Sequence, residues 1–291
     1  MSENHNESGR AEHAVGEHAV GEHAVGEHSY GKAPSVISLV TGASSGIGMA
    51  FARRLAARGD DLVIVARSEG RLKELADEIQ SGLGREVEVL PADLTLADDV
   101  GRVEQRLQSD ARPVDLLVNN AGFGTAGKFV ELPVGREDEM IRLNMLALMR
   151  LTHAALPDMM RRGRGGVINV SSVGGFQPGP NNATYSATKA FVTSFSEAVH
   201  EELRGSGVKL LALCPGFTRT EFQQRGGFDT EHIPKLAWQT PEVVVDEALA
   251  ALEKGKALCV PGVANKFSAS MVHLAPRGLV RRVSAKVAER F

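Results

Sequence analysis

Tyr185 and Lys189 stand four residues apart in the run Thr184-Tyr185-Ser186-Ala187-Thr188-Lys189-Ala190. On a helix that spacing puts both side chains on one face, one turn apart. An ammonium held beside a phenol favours the phenolate and lowers the tyrosine pKa from its usual ~10 toward neutrality. A tyrosine so placed can donate or accept a proton. The same pair also occurs on ordinary solvated helix faces, so its meaning depends on what the other elements bring to it.

The first such element is a turn suited to phosphate. An apolar run over 36–40 leads into Thr41-Gly42-Ala43-Ser44-Ser45-Gly46-Ile47-Gly48, followed by a helical pattern through Arg58. Glycines let the backbone approach a pyrophosphate, and a helix N-terminus presents free amides and a partial positive charge. A strand before the turn and an amphipathic helix after it favour a dinucleotide site over a plain tight turn.

The alternation continues along the chain. Strand-like runs occupy 61–66, 86–90, 114–118, 166–170, 209–214 and, briefly, 257–260. Helical patterns cover 69–80, 137–161 and the segment bearing Tyr185 and Lys189, to about 204. This order predicts right-handed crossovers and an α/β fold. It would be a single Rossmann-type doubly wound domain, with a seven-stranded, mainly parallel sheet and helices on both faces. In such sheets ligands bind outside the carboxyl ends of the strands. The glycine turn, Asp93 with Leu94, Asn119-Asn120-Ala121-Gly122, Ser171-Ser172 and Pro215-Gly216 all fall at those ends.

Composition narrows the function classes. A net charge of -3 over 291 residues argues against general nucleic-acid binding. Two cysteines, Cys214 and Cys259, make no disulfide framework and fit a reducing cytoplasm. No apolar stretch is long enough to cross a bilayer, and the polar N-terminus lacks the apolar core of a secretory signal. Residues 1–33 contain EHAVG three times and then EHSYG. A glycine-bearing period of five suits neither helix nor strand, so this His-rich tail is expected to be disordered. His13, His18, His23 and His28 would bind divalent metal weakly at most, and no carboxylate or cysteine spacing defines a metal site.

The ordered domain is expected over 34–262, with a basic amphipathic extension over 263–291. In that extension Phe267, Met271 and Leu274 keep helical spacing, as do Leu279, Val283 and Val287 after Pro276-Arg277-Gly278. Lys266, Arg277, Arg281, Arg282, Lys286 and Arg290 face one acid, Glu289. Packing against its own domain or a partner subunit is expected here, ahead of peripheral contact with an anionic membrane.

From about residue 35 to 260 the chain resembles the short-chain dehydrogenase/reductase family. The resemblance rests on TGASSGIG at 41–48, NNAG at 119–122, Tyr185-x-x-x-Lys189 and Pro215-Gly216, in that order. Ser172, thirteen residues before the tyrosine, falls where the family has its substrate-binding serine, and Asn144 matches its helix asparagine. Strand alternation lets only one of Ser171 and Ser172 face the site easily, and the family spacing selects Ser172.

The resemblance implies that Tyr185 exchanges a proton with a carbonyl or alcohol oxygen. Lys189 would lower its pKa and hold the nicotinamide ribose, Ser172 would bond the substrate oxygen, and Asn144 would hold a water linked to Lys189. Cofactor contacts are implied for Gly42, Ser44, Ser45, Gly46, Ile47, Gly48, Asp93, Leu94, Asn120, Ala121, Gly122, Tyr185, Lys189, Pro215 and Gly216, and for Thr218 or Thr220. An NAD site usually carries an acid about twenty residues past the glycine turn. Here Ala66-Arg67 ends the second strand, and Arg67 suits a 2′-phosphate, so NADP(H) is expected over NAD(H).

A lid is expected over about 217–238, with Phe217, Phe222, Phe228 and Trp238 as apolar candidates, and 174–182 as another wall. The family's usual dimer surface lies on the helices of Asn144 and Tyr185, implying a homodimer or homotetramer. The reading is an NADP(H)-dependent oxidoreductase of a small carbonyl or secondary alcohol. The alternatives are a catalytically idle NADP-binding regulatory or scaffold protein, and a dehydratase or epimerase on the same fold.

Overall fold

A computed structural model of the protein describes residues 36–231 and 233–288, so the repeat tail and the last three residues lie outside the described part. Seven parallel strands form one sheet in the order β3-β2-β1-β4-β5-β6-β7. They are β1 Ile37–Thr41, β2 Asp61–Ala66, β3 Val87–Pro91, β4 Leu116–Asn119, β5 Gly165–Val170, β6 Val208–Leu213 and β7 Leu258–Cys259. The doubly wound expectation holds, and the sheet is parallel throughout.

Side-chain alternation along the strands builds two cores. Val40, Ile64, Val118 and Leu211 face a layer made by α1 (Gly46–Ala57), α2 (Glu69–Leu83) and α8 (Pro241–Glu253), where Phe51, Leu55 and Leu75 are buried. Leu39, Val63, Val65, Leu117 and Leu210 face the opposite layer, which includes α3 (Ala97–Leu107) and α5 (Leu148–Arg162). Fully burying such aliphatic side chains stabilises by about 1.5–3 kcal/mol each. With both faces covered, the strands read as near-continuous apolar runs.

The sheet changes direction at β1, whose neighbours are β2 on one side and β4 on the other. Outside the carboxyl ends of β1 and β4 a crevice opens, which is where open α/β sheets take their ligands.

The helix expected over 137–161 begins earlier, as α4 (Val134–Ile141), and passes through a wide π-type turn at Arg142–Ala147 into α5. Asn144 lies in that turn. Helix α6 (Ala183–Glu202) carries Tyr185 and Lys189, and α7 (Phe222–Gly226) lies in the segment after β6. No described helix is long and apolar enough to cross a membrane.

The C-terminal segment forms α9 (Val263–Leu274) and α10 (Arg277–Ala288). One face packs on the domain: Asn265 donates to the Gln239 side chain (3.0 Å), Lys266 pairs with Glu247 (3.0 Å) and Ala269 is buried. The apolar stripe itself does not. Phe267, Met271, Leu279 and Val283 are 68%, 52%, 55% and 53% exposed, so of the two coverings expected, own domain or partner subunit, the domain does not supply one for them. Leu274 and Val287 have side chains outside the described set.

Candidate active site

The crevice is a cavity of 1040 Å³ running from the glycine turn, past Tyr185, to the lid. At its floor the backbone makes room for a ligand. Gly42 and Gly46 adopt φ of 66° and 55°, which only glycine takes readily. A Cβ on Gly48 would lie 2.3 Å from the Gly42 carbonyl oxygen. Ser44, Ser45, Gly46 and Ile47 line the cavity, and the first turn of α1 carries no acidic residue. The helix N-terminus is therefore left positive for an anion.

Polar ties hold this floor to the next strand. Thr41 Oγ1 accepts from the amides of Asn120 and Ala121, both at 3.0 Å, and the Asn120 amide group donates to the Thr41 carbonyl at 2.9 Å. Thr41, buried and absent from the predicted site, sets the distance between the two turns. Its signal in the sequence was its place as first residue of the glycine motif. Ala121 and Gly122 line the cavity beside them.

Further along the cavity, Arg67 stands just past the end of β2, with its side chain 69% exposed and only a 4.0 Å approach to Asp93. Asp93 is otherwise occupied, accepting from the Thr95 amide and hydroxyl (3.0 and 2.8 Å). Buried Leu94 lines the same end. Arg71, one helical turn beyond Arg67, also reaches the cavity and was not singled out from sequence. It pairs with Glu221 of the lid at 3.1 Å. A pyrophosphate cradle, a free helix N-terminus and two guanidiniums fit a phosphorylated dinucleotide.

Tyr185 and Lys189 project from α6 into the middle of the cavity. Ser172, just past the end of β5, lies beside Tyr185 and acts to lower its pKa, and its Oγ accepts from the Gly174 amide at 3.0 Å. Ser171 points the other way, donating to the Lys189 carbonyl at 2.7 Å beside Thr193. The two side chains thus part, Ser171 toward the backbone of α6 and Ser172 toward Tyr185, while both residues border the cavity.

Lys189 is buried and donates through Nζ to the Val170 carbonyl at 2.8 Å. Burial lowers its pKa from 10.5 to about 8. The same burial raises the Tyr185 pKa from 10.0 to about 12, opposed by the nearby Ser172 hydroxyl. The expected depression of Tyr185 by Lys189 is therefore not the balance found here. The ammonium lies 5.8 Å from the ring centroid and is engaged by a carbonyl, so desolvation outweighs it.

Asn144 is buried, and both its amide hydrogens are used: one on the Phe123 carbonyl (2.9 Å), one on Thr188 Oγ1 (3.1 Å). Its Oδ1 accepts from the Phe123 amide at 3.1 Å. The side chain clamps the turn after β4 to α6.

The lid aromatics divide. Phe222 and Phe228 flank Tyr185, at 5.6 and 6.2 Å between centroids, and stack on each other. Phe217 and Trp238 pair with one another at 5.7 Å instead. Thr220 lies over Gly46, where a Cβ would meet its methyl at 2.9 Å, while Thr218 is buried and its hydroxyl donates to the Gly216 carbonyl. Pro215 accepts from the Val173 amide, and Gly216 packs against Asn265. Val283 and Ser284 of α10 reach the cavity wall, which the sequence reading did not anticipate. Among the described residues no cluster suited to a metal ion occurs.

Known proteins share this fold. Residues 36–229 match the profile of the short chain dehydrogenases. A ketoacyl reductase of Nostoc sp. is 33% identical over 217 residues, covering 74% of each chain. A short-chain dehydrogenase of Sphingobium yanoikuyae, solved with NADPH, is 39% identical with a TM-score of 0.75, over 80% of this chain and 91% of that one. A bulky-bulky ketone specific alcohol dehydrogenase of Comamonas testosteroni is 31% identical with a TM-score of 0.71, over 84% and 96%. With two thirds of its length in the profile and relatives at this identity, the chain belongs to the short-chain dehydrogenase family of oxidoreductases.

Proposed function

We propose that the protein interconverts a carbonyl and a secondary alcohol with NADP(H), using Tyr185 as the proton carrier. The observation that carries this reading is that Tyr185, Ser172 and Lys189 line the same cavity as the glycine cradle. Bound NADPH supplies the hydride.

Everything else falls to side chains of this chain. With a pKa near 12, Tyr185 holds its proton at neutral pH and suits the acid's part in carbonyl reduction. The Gly174 amide takes one lone pair of Ser172 Oγ and fixes its position, and the single hydroxyl hydrogen turns from Tyr185 to the substrate oxygen when substrate binds. Lys189, positive at neutral pH, favours the phenolate left after proton transfer. Asn144 serves by fixing the Phe123 turn and Thr188. With both its amide hydrogens committed, we replace the water-holding role expected of its side chain with this positioning role.

The preference for NADP(H) rests on Arg67, which replaces the usual acid and keeps its guanidinium largely in solvent. Phe222, Phe228 and buried Ile233 give the substrate end an apolar lining, which suits a ketone with hydrocarbon substituents. Gly42, Ser44, Ser45, Gly46 and Ile47 would hold the pyrophosphate, with Asp93, Leu94, Ala121, Gly122 and Thr220 along the rest of the cofactor. Gly48 and Asn120 would shape that cradle from behind, and Pro215, Gly216 and Thr218 the turn that faces it. A homodimer or homotetramer through α5 and α6 belongs to the same reading, and light scattering after size exclusion checks it.

The test is NADPH oxidation with a panel of ketones and aldehydes, repeated with Tyr185→Phe. General acid catalysis typically contributes ~100- to 10,000-fold, so turnover should fall by at least that range while NADPH affinity holds. Near-normal turnover of Tyr185→Phe on a good substrate refutes the assignment, and binding of NADPH without any turnover would favour the regulatory alternative.

A further inference from the structure

Helices α9 and α10 carry an apolar stripe that the domain leaves open. Val263, Phe267 and Met271 recur every fourth residue on α9, and Leu279 and Val283 do so on α10. All five are more than half exposed, Val263 at 82%. Stripes of this size on a helix face are seldom left in water.

Charge indicates the occupant. The chain is net -3, yet 263–288 holds Lys266, Arg277, Arg281, Arg282 and Lys286 and no acid. Lys266 pairs with Glu247, whereas Arg277, Arg281, Arg282 and Lys286 form no salt bridge among the described residues. Arg282 and Lys286 fall on the helical turns bordering Leu279 and Val283, so cations edge the apolar stripe. A second copy of the chain packed here about a two-fold axis would oppose cation to cation, which is unfavourable. An anionic bilayer opposes phosphate to each cation and hydrocarbon to the stripe.

We propose that α9 and α10 dock the protein on an anionic membrane surface. Val283 belongs both to the exposed stripe and to the cavity wall, next to Ser284. Ser284 Oγ is buried and makes no hydrogen bond in the structure. The docked face therefore carries one edge of the cavity to the lipid, and an apolar carbonyl compound dissolved in the bilayer can pass to Tyr185 along it. This last step rests on the oxidoreductase reading, whereas the docking itself does not.

Flotation of the full-length protein with vesicles tests the docking without substrate. We expect binding to phosphatidylcholine vesicles containing phosphatidylglycerol, weakened by salt, and little binding to phosphatidylcholine alone. Each cation near an anionic surface contributes roughly five-fold in partitioning, so Arg282→Gln with Lys286→Gln should lower it about 30-fold. Phe267→Ser with Leu279→Ser should lose binding while NADPH affinity and the melting temperature hold, which separates docking from misfolding. No flotation on anionic vesicles, or flotation indifferent to both double variants, overturns the proposal. So does a dimer that Phe267→Ser and Leu279→Ser dissociate in a protein that ignores vesicles.

A second assay addresses delivery. Anionic vesicles should raise the rate on a long-chain ketone several-fold and leave a short water-soluble ketone unchanged. Equal effects on both refute delivery. Absence of turnover on either ketone, with flotation intact, counts against the oxidoreductase reading and leaves the docking standing.

Discussion

Burial of Lys189 has a measurable energetic signature. The group titrates at 10.5 when solvated and at about 8 in the folded protein. A folded pKa below the unfolded one means that the unfolded chain binds more protons across this window. The charged lysine therefore destabilises the fold fully below pH 8, and the penalty vanishes as pH rises past 10.5. A difference of 2.5 units corresponds to ~3.4 kcal/mol at neutral pH, falling to ~0.8 kcal/mol at pH 10. Lys189→Met removes the charge but also leaves the Val170 carbonyl without its 2.8 Å donor, a cost of about 1–3 kcal/mol that does not depend on pH. Urea denaturation of both proteins at pH 7, 8, 9 and 10 cancels that constant. Titrations of Tyr185 and Cys214, whose pKa values burial raises to about 12 and about 11, occur in both proteins and largely cancel too. Wild type should gain about 2.5 kcal/mol on Lys189→Met between pH 7 and pH 10. A difference that stays level across this range means the ammonium is not penalised by burial, and the account of Lys189 fails.

Arg67→Ala should weaken NADPH on the order of 10- to 150-fold, the worth of a charge-assisted hydrogen bond, and leave NADH unaffected. Steady-state kinetics with both cofactors decide it, and equal use of NADH by the unmutated protein would contradict the assignment. Gly48→Ala forces a Cβ to within 2.3 Å of a backbone oxygen, so the turn must move. Overpacking of this kind costs about 1–3 kcal/mol, read as a lower melting temperature together with lost NADPH binding. Gly101→Ala, in the middle of α3 with nothing within 4 Å of the new methyl, is the control and should stabilise by about 0.5–1 kcal/mol.

The strands were the most legible part of the sequence, because a sheet covered on both faces writes itself as runs such as Leu62-Val63-Ile64-Val65. Their carboxyl ends then brought the glycine turn, Asn120, Ser172 and Pro215 to one edge without side-chain detail. Three features escaped. The wide turn at Arg142–Ala147 keeps the apolar spacing of an ordinary helix, so nothing local marks it. The raised Tyr185 pKa depends on how deeply the ring is packed and on Lys189 being engaged by Val170, neither of which spacing encodes. The approach of Val283 and Ser284 to the cavity joins residues about a hundred positions from Tyr185, a contact between distant elements that no motif announces.

Trp238 is the only tryptophan in the chain, and it sits on the lid against Phe217. Its indole is thus a built-in optical reporter whose emission comes from one known place. Displacement of the lid changes the quenching of that ring by its neighbours, and a reduced nicotinamide nearby absorbs where indole emits. Rapid-mixing fluorescence on the unlabelled protein can therefore time lid movement and cofactor docking as separate signals, with no probe attached and no residue replaced.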